Sequence, residues 1–119
     1  VQTCALPICL RSDRVGLRLE ISGGVPEALS QASSGRMPSM GMTFGAIELP
    51  PGGEPLVLGV DHPTTGGYPV TACVIEADLP ALGQLAPRDH VRFELVDRET
   101  ALREAARLRI ELEQESPSR

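Results

Sequence analysis

The stretch Asp61-His62-Pro63-Thr64-Thr65-Gly66-Gly67-Tyr68-Pro69 concentrates the groups of this chain that could do chemistry. A carboxylate, an imidazole and two hydroxyls arise from adjacent residues, and Gly66-Gly67 can take positive φ and present bare backbone N–H groups. Asp61 and His62 could move a proton, Thr64 and Thr65 could donate or accept hydrogen bonds, and the amides of Gly66 and Gly67 could stabilise an oxyanion or a phosphate. Apolar runs flank the stretch, Pro55 to Val60 before it and Val70 to Ile75 after it, so it reads as a polar crossing between two strands. An ordinary glycine-rich β-hairpin turn would carry the same residue types, and residue types alone do not separate the two readings.

Few other groups compete for a chemical role. Arg14 and Arg18 are fork-shaped cations that could pair with a substrate carboxylate, although Arg18 on the polar face of a strand is equally an ordinary solvated charge. The two histidines are His62, in the crossing, and His90, on the polar side of a strand pattern. No nucleophile elbow, no paired His or Cys at metal spacing, no Walker loop and no GxGxxG string is present. All eleven basic residues are arginine, which removes Schiff-base chemistry and the phosphate-loop lysine. Cys4, Cys9 and Cys73 are odd in number and lack metal spacing, so they read as reduced thiols in a cytoplasmic protein, with Cys73 expected in the core.

The elements that must position these groups are legible in part. Val15, Leu17, Leu19 and Ile21 alternate with Gly16, Arg18 and Glu20, the pattern of a half-buried strand. Gly23-Gly24 ends it, and Val25 to Ala32 allows a short helical piece. Ser33 to Gly45 reads as a long loop, Ala46 to Leu49 as a short strand, and Pro50-Pro51-Gly52-Gly53 as a turn into Leu56–Val60, whose continuous apolar run fits a strand covered on both sides. After the crossing, Val70 to Ile75 reads as a buried strand. Leu79, Leu82 and Leu85 then mark a short helix with Asp78 as its expected cap, and His90 to Val96 alternates as a strand with Val91, Phe93 and Leu95 inward. From Arg98, Ala101, Leu102, Ala105, Leu108 and Leu112 have helical spacing, with Glu99/Arg103 and Glu104/Arg107 as expected ion pairs and fraying beyond Glu113. Several short strands with frequent turns and one terminal helix define a mainly β domain, and closure into a small barrel would remove its edges.

Composition narrows the partners. The 119 residues suit one domain, and a mean hydropathy of −0.04 suits a globular one. A net charge of −5 without a basic patch argues against nucleic acid and anionic membranes as partners, and 3% aromatic residues argues against a stacking platform. No run approaches the roughly 18 apolar residues of a membrane span. Val1 to Leu10 lacks a trusted periodicity and the marks of a signal peptide, and it reads as a cloning or assembly remnant at the head of a fragment.

The order of segments resembles a known family. Ser12-Asp13-Arg14-Val15-Gly16-Leu17-Arg18-Leu19-Glu20, then Gly45 through Pro55, then Asp61 through Pro69, then Ala77-Asp78-Leu79 and Gly83-Gln84-Leu85 resemble the C-terminal half of the biotin-dependent carboxyltransferase family. That family includes the C-type component of 5-oxoprolinase, also called KipA or allophanate hydrolase subunit 2, and the carboxyltransferase part of urea carboxylase. Where some members carry Arg-Gln, this chain has His62-Pro63. The resemblance implies a cyclophilin-like β-barrel over residues 11–97, preceded by an unmatched segment 1–10 and followed by a helix and frayed tail at 98–119. It implies a protein that helps open 5-oxoproline to glutamate with ATP, the ATP being bound by a complex with A- and B-type oxoprolinase subunits. Asp61, His62, Thr64 and Thr65 would then be catalytic, while Arg14, Arg18, Gly66, Gly67 and Tyr68 would bind a small-molecule substrate. Two alternatives stay open: a non-catalytic interaction or kinase-inhibitor-binding module, and carboxyl transfer in a urea carboxylase or allophanate hydrolase system, which alone would require biotin. The fragment by itself is expected to be inactive.

Overall fold

The fold rests on a hairpin whose turn only glycine can make. In the computed structural model, which describes residues 6–115, β4 (Ala46–Glu48) pairs antiparallel with β5 (Leu56–Leu58), Ile47 opposite Val57 and Glu48 opposite Leu56. The intervening turn closes through the Gly53 N–H donating to the Pro50 carbonyl at 3.0 Å. Gly52 and Gly53 both take left-handed φ, 105° and 81°. α1 (Glu27–Ser33) leans on this turn: a Cβ at Gly53 would come within 2.6 Å of Val25 Cγ1 and 3.1 Å of the Leu29 backbone.

Two further strands complete a four-stranded antiparallel sheet in the order β2-β5-β4-β7, where β2 is Gly16–Arg18 and β7 is Val70–Cys73. The register aligns Leu17, Val57, Ile47 and Ala72 across one face, and Arg18, Leu56, Glu48 and Val70 across the other. Ile47 and Val57 meet Ile8, Leu19 and Leu82 in the core, with Phe44, Leu79, Val91 and Phe93 packed around them. The two central strands are covered on both faces, since Ala46 and Leu58 are as buried as Val57, which agrees with their uninterrupted apolar pattern. Between Ile47 and Glu48 the ladder with β7 slips by one residue. Thr71 is the extra residue, and its hydroxyl donates to the Ile47 carbonyl at 3.2 Å, satisfying an acceptor beside the bulge.

Short elements surround the sheet. β1 (Leu6–Pro7) pairs with β8 (His90–Val91), and β3 (Met40–Gly41) pairs with β6 (Thr65–Gly66). A 3₁₀ turn at Glu76–Asp78 runs into α2 (Leu79–Gly83), and α3 (Arg98–Glu115) packs Ala105 toward that turn. Arg109 Nη2 reaches both carboxylate oxygens of Glu76, at 2.9 and 3.0 Å, and ties helix to turn. Asp97 caps α3 by accepting the Thr100 N–H at 2.7 Å, and hydrogen bonding from the Thr100 side chain first, then from its backbone, holds the Asp97 carboxyl below the ordinary range.

Several expectations are corrected by tertiary pairing. The crossing is not the loop of a hairpin, because β4 lies between β5 and β7 and the chain passes over it. Ser33 to Gly45 is not all loop, since β3 forms within it. Val15 is exposed because it sits in the turn before β2, and Cys73 is exposed because β7 is an edge strand. Asp78 makes no side-chain cap, since the 3₁₀ turn continues into α2 without a break in helical backbone. Of the strand expected from His90 to Val96, His90–Val91 is assigned, opposite Pro7 and Leu6, where the described residues begin, and Leu95 is 97% exposed. On α3, Leu102 and Leu112 face outward, and Arg103 bonds to Thr100 while Arg107 pairs with Glu104 and Glu111. The strands do not close into a barrel among the described residues. Residues 6–10, read from the sequence as apart from the domain, are built into it, with Ile8 and Cys9 buried; residues 1–5, including Cys4, and the tail beyond 115 lie outside the described residues.

The turn gives a graded test. Gly52→Ala adds only backbone strain, about 1 kcal/mol, because nothing lies near its Cβ position. Gly53→Ala adds a collision with α1 as well and is expected to cost roughly 2–3 kcal/mol, measured by urea unfolding of the two variants.

Candidate functional site

The first half of the crossing is fixed against the chain that leads into β2. The Gly59 N–H donates to the Val15 carbonyl at 2.9 Å and the Asp61 N–H to the Arg14 carbonyl at 3.0 Å, so the β2–β5 pairing continues past Leu58. The approach is so close that a Cβ on Gly59 would run into the Arg14 carbonyl. It delivers Asp61 to Arg14, whose Nε donates to Oδ2 at 2.7 Å. That hydrogen bond holds the Asp61 carboxyl below its ordinary value of 3.8 and raises the Arg14 guanidinium. Both side chains are largely exposed, so the pair contributes orientation more than stability. Arg14 keeps its terminal nitrogens without another hydrogen bond among the described residues.

Ser12 and Asp13 build the loop that aims Arg14. Asp13 Oδ1 accepts the N–H groups of Val15 and Gly16 at 2.9 and 3.3 Å, and Ser12 Oγ accepts the Arg18 N–H at 2.9 Å. The Ser-Asp-Arg string therefore divides its labour: two residues set the backbone and the third presents a cation. Beside it lies a cavity of about 240 Å³. Ser12, Asp13 and Arg14 form one wall, Gly59 and Val60 another, and Leu82, Gly83 and Leu85 of the α2 end a third.

The second half of the crossing belongs to a different ribbon. Thr65 and Gly66 pair with Gly41 and Met40, the Met42 N–H donates to the Thr64 carbonyl at 3.0 Å, and the Met37 N–H donates to the Gly67 carbonyl at 3.1 Å. Neither Gly66 nor Gly67 takes positive φ, contrary to expectation: Gly66 is drawn into the β3–β6 pairing, and the chain at Gly67 is held by its carbonyl accepting the Met37 N–H. Their lack of side chains serves close packing instead: a Cβ at Gly66 would touch Met42 at 3.3 Å, and one at Gly67 the Met37 carbonyl at 3.3 Å. Thr64, Thr65 and Tyr68 are exposed on this ribbon. His62 is half-buried between the two halves, with Nδ1 2.7 Å from the Pro63 carbonyl. With a carbonyl as partner, Nδ1 is the donor in that hydrogen bond, and Nε2 makes no hydrogen bond among the described residues. Arg18 stands apart on the exposed end of β2.

The structure thus joins Asp61 to Arg14, which lines the cavity, and gathers Thr64 to Tyr68 on the adjoining ribbon, while Asp61, His62, Thr64 to Tyr68 and Arg18 do not line the cavity. No group of three or more His, Cys, Asp and Glu that could hold a metal exists among the described residues, and none of the described helices is long and apolar enough to cross a membrane. The roles of Ser12, Asp13 and Gly59 escaped the sequence reading. The signals were there: an Asp three before a Gly marks a side-chain-closed turn, and a Gly in an apolar run marks close backbone approach.

An open antiparallel sheet bearing these ordered strings defines the class. Residues 7–95 match the family described as carboxyltransferase domain, subdomain A and B, and the chain belongs to that family. It is 41% identical over 98 residues to the C-type 5-oxoprolinase subunit of Haemophilus influenzae, covering 82% of this chain and 29% of that one. The C-type 5-oxoprolinase subunit of Escherichia coli is 36% identical over 93 residues, covering 78% and 28%. The chain therefore spans less than a third of the length of these curated relatives. The crystal structure of Kluyveromyces lactis urea carboxylase contains a similar fold, with TM-score 0.76 and 25% identity over 93% of this chain and 10% of that one.

One carboxylate outside the site has a testable cost. Glu48, at the centre of the sheet, is 6% exposed and has no hydrogen-bond or ion-pair partner among the described residues, and desolvation raises its pKa above 4.5. A folded-state value above the unfolded one means that the folded protein binds the proton more tightly. Stability from this group is full below pH 4.5 and is lost as pH rises through the folded value. Glu48→Gln is expected to raise the thermal midpoint at pH 7 and to flatten its decline above pH 4.5, read by calorimetry across pH.

Proposed function

We propose that this chain is part of a protein like the C-type subunit of 5-oxoprolinase and contributes to the ATP-dependent opening of 5-oxoproline to glutamate. The observation that carries the reading is the 41% identity to such a 5-oxoprolinase subunit across most of the chain. In the reaction, water adds to the lactam carbonyl, the ring C–N bond breaks, and the departing nitrogen takes a proton, with ATP hydrolysis driving the change. On this reading the terminal nitrogens of Arg14, steadied by Asp61, take the substrate carboxylate, with Arg18 available to the same anion. Thr64, Thr65, Tyr68 and the backbone of Gly66 and Gly67 contact the substrate as negative charge develops on oxygen, and His62 Nε2 exchanges the proton. ATP is bound by the complex, whose A- and B-type subunits are the partners, in the cytoplasm. In the complete subunit the sheet closes as a cyclophilin-like barrel.

The likeness to urea carboxylase supports a second reading, carboxyl transfer from carboxybiotin, in which the same cation and hydroxyls would face a carboxylated cofactor. A complete subunit that contains this domain, assayed with its partner subunits, separates the two. Arg14→Gln is expected to lower kcat/KM for ATP-dependent 5-oxoproline hydrolysis by roughly 10–100-fold, and Thr65→Ala by about tenfold. Unchanged hydrolysis in both variants, or activity only with a biotinylated carrier and urea, contradicts the proposal.

A further inference from the structure

The cavity beside Arg14 is polar on one wall only. Leu17, Phe44, Val60, Leu82, Leu85 and Pro87 supply most of its lining, with Leu82 buried at its base and Val60 56% exposed at its mouth. Its polar side chains are those of Ser12, Asp13 and Arg14, and the first two are engaged by the backbone. Ser12 Oγ accepts the Arg18 N–H, and Asp13 Oδ1 accepts the N–H groups of Val15 and Gly16. Arg14 is the cation of this wall, with Nε on Asp61 and its terminal nitrogens without another hydrogen bond among the described residues. A volume of about 240 Å³ is ample for a single ring, since an apolar cavity of roughly 150 Å³ already accepts benzene.

A guanidinium on one wall and hydrocarbon on the others suit an anion that carries a compact apolar body. They do not suit an amide: a lactam N–H and C=O pressed against Leu17, Leu82 and Leu85 would lose water and gain no side-chain partner. We propose that this cavity binds a small ring monocarboxylate by its carboxylate and its hydrocarbon edge, and leaves any lactam edge outside. The assignment rests on Arg14 as the partner of the substrate carboxylate, as in the proposed function, and names what that site selects. For 5-oxoproline, the carboxylate meets Arg14, the two ring methylenes enter the cavity, and the N–H and C=O edge faces outward, where reacting groups can reach it. Opening the ring turns the compact body into a flexible chain with a second carboxylate and an ammonium, so glutamate is held more weakly than the substrate. The site thereby favours release of the product.

Calorimetric titration of a complete subunit that contains this domain tests the assignment against 5-oxoproline, cyclopentanecarboxylate, which lacks the lactam, 2-pyrrolidinone, which lacks the carboxylate, and glutamate. Cyclopentanecarboxylate is expected to bind at least as tightly as 5-oxoproline, and 2-pyrrolidinone and glutamate at least about tenfold more weakly. Arg14→Gln is expected to weaken both ring carboxylates by about tenfold or more. Val60→Asp, at the exposed mouth, is expected to weaken them about threefold and Val60→Lys to tighten them by a similar factor, a reversal that misfolding cannot produce. Binding of 5-oxoproline without binding of cyclopentanecarboxylate overturns the proposal. So does glutamate binding as tight as that of 5-oxoproline, or carboxylate binding indifferent to both Arg14→Gln and Val60→Asp. Arg14-dependent binding of cyclopentanecarboxylate in a complex that does not hydrolyse 5-oxoproline supports the cavity assignment and overturns the proposed reaction instead.

Discussion

The candidate site depends on one close contact, the backbone of Gly59 lying against the carbonyl of Arg14. Only a residue without Cβ allows it, and the contact lets the β2–β5 ladder run one step beyond the strands. Asp61 is then delivered to the Arg14 guanidinium by main-chain geometry rather than by a search of flexible side chains. The energy of an exposed ion pair is small, so its value lies in aiming: the carboxylate fixes the Nε side of the guanidinium of Arg14, a residue that lines the cavity. Ser12 and Asp13 complete the arrangement by hydrogen-bonding the loop that carries Arg14.

The same sheet explains why the remaining groups sit where they do. β4 and β5 are central and covered on both faces, which is why Glu48 is nearly buried and its charge disfavoured. β7 is the last strand of the sheet among the described residues, and its ladder with β4 carries the bulge at Thr71. The crossing spans β4 to join these two environments. One half is bound to β2 and the other to β3, so the polar string serves two neighbouring surfaces rather than a single turn.

Local signals survived into the structure and nonlocal ones did not. Pro50 to Gly53 specified its turn, and the helical spacing from Arg98 specified α3, because each is decided within a few residues. The ordered strings that identified the family also carry fixed contacts: Asp13, Arg14 and Asp61 each have a defined partner. What failed was decided by partners distant in sequence. Whether Val70 follows β5 as a hairpin depends on β4 lying between them, and whether Cys73 is buried depends on which strand is last. Periodicity reports which face would be buried, not whether a neighbour is there to bury it.

The most direct measurement is the carboxyl pKa of Asp61 by NMR titration in the parent chain and in Gly59→Ala. The account predicts a value below 3.8 in the parent, and a return toward 3.8 in the variant as the added methyl pushes Asp61 away from Arg14, with the sheet otherwise intact. A parent value at or above 3.8, or a depressed value that survives Gly59→Ala, would contradict it.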